Sequence, residues 1–391
     1  MSPAKVWAQP EVSAEAAVLM DMQSGQILYQ KNMDRRMYPA STTKILTALV
    51  AIKKGNFGDR VKVSREACLA GGSHVGLQED EVLRFEDLLY IIMLASANDA
   101  AVAVAEHIGG SVEGFARLMN SEARAIGALN SNFVNPHGLH DPDHYTTAGD
   151  LALIAREAMK NSVFREIAGT YHYRVQRVLP RPVNGVPQED FVNHNKMMWP
   201  GSRFEYKGIT GIKTGFTDEA GQCLVASASR NGRELLSVVL KTENFGMYKD
   251  TVTLLDYGFN EFKQVTLAGR GAVAGRAAVQ KGVTEEIGAV TAGEFYYNIP
   301  VNDNSTIDKR VLIDRDIVAP VQKGQKVGTM YFVKDGRQIG SIDLVADQDV
   351  ERKPLSSWWY GPVALVPLYL FIRSRARARR RRYMFRKQRW Y

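Results

Sequence analysis

Cysteine is nearly absent: Cys68 and Cys223 are the only two thiols in 391 residues. Two cysteines build neither a disulfide framework nor a cysteine-based zinc site. Both have apolar neighbours and are expected as buried free thiols. Met1 to Pro10 lacks the apolar run of a signal peptide, so an export signal is expected either upstream of Met1 or already removed. Acidic residues are missing from Arg373 to Tyr391, where ten basic ones gather. Removing those ten from the net charge of +8 leaves −2 for the first 372 residues. A near-neutral body excludes a broad nucleic-acid-binding surface, and the basicity belongs to the tail. With 45% hydrophobic and 24% charged residues, disorder is excluded as well.

What is present divides into segments. The length favours two or three units over one. Ala16–Met20 and Gln26–Tyr29 flank Gln23-Ser24-Gly25 and predict a β-hairpin. A helix is expected to open near Ser41, where Ile45, Leu46, Leu49, Val50 and Ile52 recur at helical spacing. Another runs from about Phe85 to Leu94 and breaks at Ser96-Ala97-Asn98. Asp99 is then expected to cap a helix ending near Gly109-Gly110, and Ser111 to Ile126 reads as helical too. Thr147-Ala148-Gly149-Asp150 has the capping-box pattern. Residues 41 to about 160 are thus mainly helical.

After about Tyr206 the period changes to that of strands: Gly208–Lys213, Cys223–Ala228 and Leu235–Leu240, then a helix from about Lys249 to Tyr257. The expected fold is α/β (α+β), an antiparallel sheet made from the first hairpin and these later strands, with the helical block inserted. Residues 1–262 form this domain. Residues 263–353 are expected as a small all-β domain, with strands at Val279–Gly282, Phe295–Tyr297 and Tyr331–Gly336. A membrane segment at 354–372 and an arginine-rich tail at 373–391 follow. The 18 uncharged residues from Leu355 to Ile372 would span about 27 Å as a helix, against a hydrocarbon core of roughly 30 Å. A crossing helix is expected, kinked at Pro362 and Pro367, with the arginines cytoplasmic and the body outside. The alternatives are an interfacial segment with its arginines on anionic headgroups, or a soluble nucleic-acid-binding tail.

Three short motifs carry chemistry: Ser41-Thr42-Thr43-Lys44, Ser96-Ala97-Asn98 and Lys213-Thr214-Gly215. Ser41 and Lys44, three apart at a helix start, share a face. The amine can then take the hydroxyl proton, and the helix N-terminus favours the developing negative charge. Ser96 and Asn98 fall in a helix–helix loop, where side chains can project into a cleft. Lys213 is expected to end an apolar strand, and Thr214-Gly215 lets a substrate backbone pack against that edge. Each motif has an ordinary alternative: Ser41 as an N-cap beside a solvated lysine, Ser96 and Asn98 as turn residues, Lys213 as a strand-end charge. His137, His140 and His144 with Asp141 and Asp143 suggest a metal site. Their short Pro-containing segment argues for a loop instead, and no metal is expected.

Together the motifs resemble the serine penicillin-recognising enzymes, the family for which the general rule joining Ser-x-x-Lys to Lys-Thr-Gly is itself stated. More narrowly the chain resembles the low-molecular-weight penicillin-binding proteins, the D-alanyl-D-alanine carboxypeptidases. Tyr38–Lys44, Asn135-Pro136-His137-Gly138-Leu139 and Thr210–Gly215 all look like that family, as does Ser-x-Asn at Ser96. The resemblance covers residues 15 to about 262 closely, and the β domain and membrane segment follow in the family's order. It implies a β-lactamase/transpeptidase-like domain and an acyl-enzyme on Ser41, with Lys44 as general base. Ser96 would pass a proton to the departing D-alanine, and Asn98 would hold the substrate amide. Lys213 and Thr214 would bind the terminal carboxylate, beside Gly215. The backbone N–H groups of Ser41 and Phe216 would form the oxyanion hole. The implied partners are peptidoglycan stem peptides, β-lactams as covalent inhibitors and a membrane with anionic lipids; no nucleic acid and no cofactor are needed. The implied location is the outer face of the cell membrane.

Two rivals are distinguishable. A class A β-lactamase would carry Ser-Asp-Asn where this chain has Ser-Ala-Asn. Its Glu-x-x-Leu-Asn motif is not found between Asp141 and Lys213. A membrane-tethered peptidoglycan-binding protein with a dead site would have no need of Ser41 and Lys44 together.

Overall fold

The computed structural model of the protein describes residues 9–177, 189–354 and 360–387. The chain divides into two units, Met1–Thr266 with Tyr296–Asn304 and Leu267–Phe295 with Ser305–Tyr391.

The first unit opens with the expected hairpin, β1 (Ala16–Asp21) and β2 (Ile27–Lys31). A 3-10 turn, Ala40–Thr43, leads directly into α1 (Lys44–Lys54). The ribbon β3 (Arg60–Lys62) and β4 (Val82–Arg84) brackets the short α2 (Arg65–Cys68). Then come α3 (Phe85–Leu94), α4 (Asn98–Gly109), α5 (Val112–Ile126), α6 (Ala148–Lys160) and α7 (Ser162–Gly169). A second ribbon, β5 (His172–Arg174) with β6 (Asp190–Val192), precedes the long strands β7 (Ile209–Thr217), β8 (Gly221–Arg230) and β9 (Arg233–Thr242). The helix α8 (Gly246–Glu261) follows.

The main sheet is antiparallel in the order β2-β1-β9-β8-β7, so the first and last parts of this unit build it and the helices are an insertion. Every residue of β1 is buried. Ala16, Val18 and Met20 pack into the core shared with the inserted helices, whereas Ala17 and Leu19 pack with Leu254 and Leu255 of α8. Two covered faces explain an unbroken apolar run where a one-sided antiparallel strand would alternate.

Side-chain caps hold the starts of α2, α5, α6 and α7. Thr147 accepts from the Asp150 amide, one half of the expected capping box, while the Asp150 carboxylate instead accepts from the Asn130 amide and the Ser131 hydroxyl. Ser111 likewise accepts from the Gly114 amide. Asp99 departs from expectation. It lies inside the first turn of α4, whose N-cap is Ala97. Besides the Ala100 amide, its carboxylate accepts from the Val75 and Leu77 amides, so it serves a neighbouring loop and not only its own helix. Lys213 also departs. It sits in the middle of β7, because pairing with β8 continues to Thr217 opposite Gly221. Cys223 is buried, but Cys68 is only half-buried, since the one-turn α2 turns only Ala67 fully inward.

The second unit contributes β11 (Val273–Ala278), β12 (Glu286–Thr291), β14 (Ile307–Ile313), β15 (Lys326–Lys334) and β16 (Arg337–Ala346), in the sheet order β11-β12-β16-β15-β14. Two further strands, β10 (Phe262–Ala268) and β13 (Phe295–Pro300), pair as a ribbon. Ile287, Val327, Phe332 and Leu344 centre the core of the second unit, with Phe295 stacked on Phe332 at 4.4 Å. Val279–Gly282, expected as a strand, carries only isolated bridges. The last element, α9 (Tyr360–Lys387), runs from the apolar stretch straight into the arginines. A crossing helix is not shown: no helix among the described residues is long and apolar enough to cross a membrane. The uncharged part of α9, Tyr360–Ile372, covers 13 residues or about 20 Å. Leu355–Trp359, the start of the expected segment, lies outside the described residues.

Candidate active site

Ser41 occupies the 3-10 turn that precedes α1, one turn of chain from Lys44. The Lys44 side chain is fully buried, and its Nζ lies 3.1 Å from Ser41 Oγ, 2.7 Å from Asn98 Oδ1 and 2.8 Å from the His137 carbonyl oxygen. Burial pushes the Lys44 amine well below its usual range, and the nearby charge of Lys213 pushes it the same way, against a smaller opposing effect of Asp99. The neutral amine has two N–H bonds and one lone pair. Asn98 Oδ1 and the His137 carbonyl can only accept, so they take the two N–H groups. The lone pair is left for the Ser41 hydroxyl, which is the arrangement a general base requires. The orientation of the Asn98 amide is fixed by its other end, where Nδ2 donates to the Gly71 carbonyl at 2.6 Å.

Ser96 lies between α3 and α4 with φ +61°, a conformation rare for a residue with a side chain. It is buried, and among the described residues its Oγ has no hydrogen-bond partner. An unpaired hydroxyl on a strained backbone is costly, and such features collect at functional sites. Lys213 is buried too, with Nζ donating to the Thr214 carbonyl at 3.2 Å; burial pushes its amine down to about 7. Thr214 is half-buried and Phe216 exposed. Gly215 explains how β7 meets the Ser41 turn. A Cβ there would stand 3.0 Å from Ser41 N and 3.1 Å from both Pro39 O and Thr42 N, all backbone atoms that cannot step aside. The close approach sets the Lys213-Thr214-Gly215 strand against the N–H groups of the serine turn.

The histidines of the 137–144 segment brace the site. His144 is buried with Nδ1 accepting from the Val134 amide, so its Nε2–H donates to Thr43 Oγ1 at 2.9 Å. Burial holds this imidazole near 4, hence neutral. His140 packs edge-on against Tyr38, next to the serine turn.

Three contributors escape sequence inspection. The His137 backbone carbonyl has no side-chain signature. Asp99 is visible only as a helix cap, not as the partner of the 75–77 loop. Arg177, whose side chain is fully buried, lies far along the chain and belongs to no motif.

The chain matches a family profile described as D-alanyl-D-alanine carboxypeptidase over residues 4–244, and one described as the C-terminal domain of penicillin-binding protein 5 over residues 262–352. The D-alanyl-D-alanine carboxypeptidase DacF of Bacillus subtilis is 34% identical over 346 residues, 87% of this chain and 86% of its own length. The corresponding protein DacA of Escherichia coli K12 is 32% identical over 354 residues, 87% and 84% of the two chains. Among solved structures, penicillin-binding protein 5 of Haemophilus influenzae aligns with a TM-score of 0.75 at 31% identity, covering 88% of this chain and 100% of that one.

Proposed function

Because this chain belongs to the D-alanyl-D-alanine carboxypeptidase family, we propose that Ser41 is the nucleophile with which it removes the terminal D-alanine from peptidoglycan stem pentapeptides. The observation that carries this assignment is the Lys44 amine, buried, shifted toward neutrality and aimed at the Ser41 hydroxyl. Lys44 takes the Ser41 proton as Oγ attacks the carbonyl between the two D-alanines. The Ser41 and Phe216 amides stabilise the oxyanion, a contribution of about 2.7–4 kcal/mol per donor in known cases. Ser96, with its free hydroxyl, passes a proton to the departing amine. Water then releases the shortened peptide. β-Lactams enter by the same attack and remain as acyl adducts.

The substrate backbone has a natural seat. β7 is the last strand of the main sheet, so an extended peptide can lie along it as a further strand, with the Asn98 amide holding the substrate amide. Lys213, Thr214 and Gly215 receive the terminal carboxylate. A lysine held near 7 is about half protonated in the empty site at neutral pH, and a carboxylate beside it favours the charged form. Substrate binding therefore takes up protons above pH 7. kcat/KM should rise with pH as Lys44 loses its proton and fall again as Lys213 loses its own. The test is D-alanine release from a pentapeptide ending in D-Ala-D-Ala. We expect release from the free acid, little from the C-terminally amidated peptide, and at least a tenfold lower kcat/KM in Lys213→Ala. Absence of D-alanine release overturns the assignment, and equal turnover of the two peptides removes Lys213 from the carboxylate site.

The C-terminal helix supports membrane attachment on the outer face of the cell. Its exposed apolar start and its run of arginines suit a helix lying at the interface, with the guanidinium groups on anionic headgroups. Each basic residue near such a surface contributes roughly 1 kcal/mol that salt can screen. Vesicles containing anionic lipid should bind the protein and release it in about 1 M salt, where screening acts within about 3 Å. Retention through that wash would identify a crossing segment instead.

A further inference from the structure

Outside the motifs, the irregular stretch Gly71–Leu77 at the site is held by hydrogen bonds from both ends. Two buried charged side chains from distant parts of the chain divide its backbone between them. Asp99 of α4 accepts from the Val75 amide at 3.1 Å and the Leu77 amide at 3.0 Å. Arg177 donates to the Val75 carbonyl at 3.0 Å and the Gly76 carbonyl at 3.1 Å, and grips Glu81 with Nε and Nη2 at 2.7 and 2.8 Å. The planar fork of an arginine can satisfy a carboxylate and two carbonyls at once, which a lysine cannot. The other end of the stretch reaches Asn98. Its backbone N–H donates to the Ser73 carbonyl at 2.7 Å, and its Nδ2 donates to the Gly71 carbonyl.

We propose that Arg177 is a positioning residue. By fixing the Gly71–Leu77 stretch it keeps the Gly71 carbonyl on Asn98 Nδ2, and so keeps the oxygen of that amide, not its nitrogen, facing Lys44.

The orientation matters because the two ends of an amide act oppositely on an amine. Oδ1 takes an N–H of Lys44 and leaves the lone pair to Ser41. A reversed amide would direct an N–H into that lone pair, occupying the base and holding the amine neutral to still lower pH. The other groups around Lys44 stay in place under such a reversal: Lys213 from β7, Asp99 from α4, His137 and His144 from the loop before α6, and His194 from the segment after β6. The proposal rests on the Ser41–Lys44 reading above and adds to it the control of the base by a remote side chain.

The experiment compares the pH dependence of β-lactam acylation in the native protein, Arg177→Gln and Gly72→Ala, with thermal melting on the same samples. Gly72 gives an independent handle on the same contact. It has φ +76°, and a Cβ there would come within 2.8 Å of Asn98 Nδ2, in the exposed part of the loop ahead of the buried Val75 and Leu77. Both variants should acylate at least tenfold more slowly on the pH plateau, with the rising limb moved to lower pH. A purely structural role would scale the rate with the folded fraction and leave the limb where it is. An unmoved limb in folded Gly72→Ala, or in folded Arg177→Gln, overturns the proposal. A native protein that is never acylated fails the Ser41 reading itself, which is a separate outcome.

Discussion

Ser41→Ala is expected to abolish covalent penicillin labelling and to lower D-alanine release on the order of a millionfold, the scale of loss when a serine hydrolase loses its nucleophile. The fold should not notice. Ser41 is half-exposed in a 3-10 turn, and its hydroxyl makes one hydrogen bond, to an amine that has two better partners at 2.7 and 2.8 Å. A surface change of this kind shifts stability by about 0.5 kcal/mol or less. Mass spectrometry of the β-lactam-treated variant checks the first statement and thermal melting the second. An adduct on the variant would move the nucleophile elsewhere.

Lys44→Met should separate catalysis from stability more sharply. Loss of the base predicts acylation slower by about 10²–10⁴-fold. Stability should rise with this substitution at low pH. Unfolding releases Lys44 to water with its ordinary affinity for protons, while in the folded protein burial keeps that affinity well below the usual lysine value of 10.5. The unfolded chain therefore binds more protons, and native stability falls as pH drops from about 10.5 toward the depressed folded value. Methionine has no proton to bind, so the gap between variant and native should widen over that window and stop growing below it. Opposing this, Asn98 Oδ1 and the His137 carbonyl lose a donor, at about 1–3 kcal/mol for each one left unsatisfied. The diagnostic is the slope and not the sign at one pH. Chemical denaturation at several pH values that gave parallel curves would show that Lys44 is not buried with a depressed affinity for protons.

Much of this is legible in the sequence because it is local. Ser41 and Lys44 meet through helical spacing alone, and Thr147 caps its helix within four residues. The inserted-helix topology follows from a change of period between about residues 160 and 206. Where the structure differs from the sequence pattern, distant parts of the chain intervene. Asp99 has the composition of a cap, but a loop from residues 75–77 with unpaired amides competes for its carboxylate. Lys213 reads as a strand end because Thr214-Gly215 is a turn-like pair, whereas β8 supplies partners on past it. Arg177 has no local signal, since its partners Glu81, Val75 and Gly76 are about 100 residues earlier. An uncharged run predicts a crossing helix, and the described part of that run continues without a break into the arginines.

The open position of β7 carries a further consequence. A strand at a sheet margin offers its amides and carbonyls to any extended chain, including another copy of the same protein, and such margins seed aggregation unless blunted. Here the strand that must stay available also carries its own protection. Gly211 and Gly215 lower its intrinsic strand preference, and the Pro39–Thr42 turn crowds one side so closely that a β-carbon at Gly215 would stand 3.0–3.1 Å from its backbone atoms. A flat, bulky strand of another molecule would collide with that turn, whereas a thin peptide ending in small residues would not. If the peptide seat on β7 is as proposed, resistance to self-association and selectivity for a slender C-terminus follow from the same shape. Substitutions that flatten or enlarge β7 should be read first for self-association, in light scattering of the unliganded protein, before any loss of turnover is ascribed to chemistry.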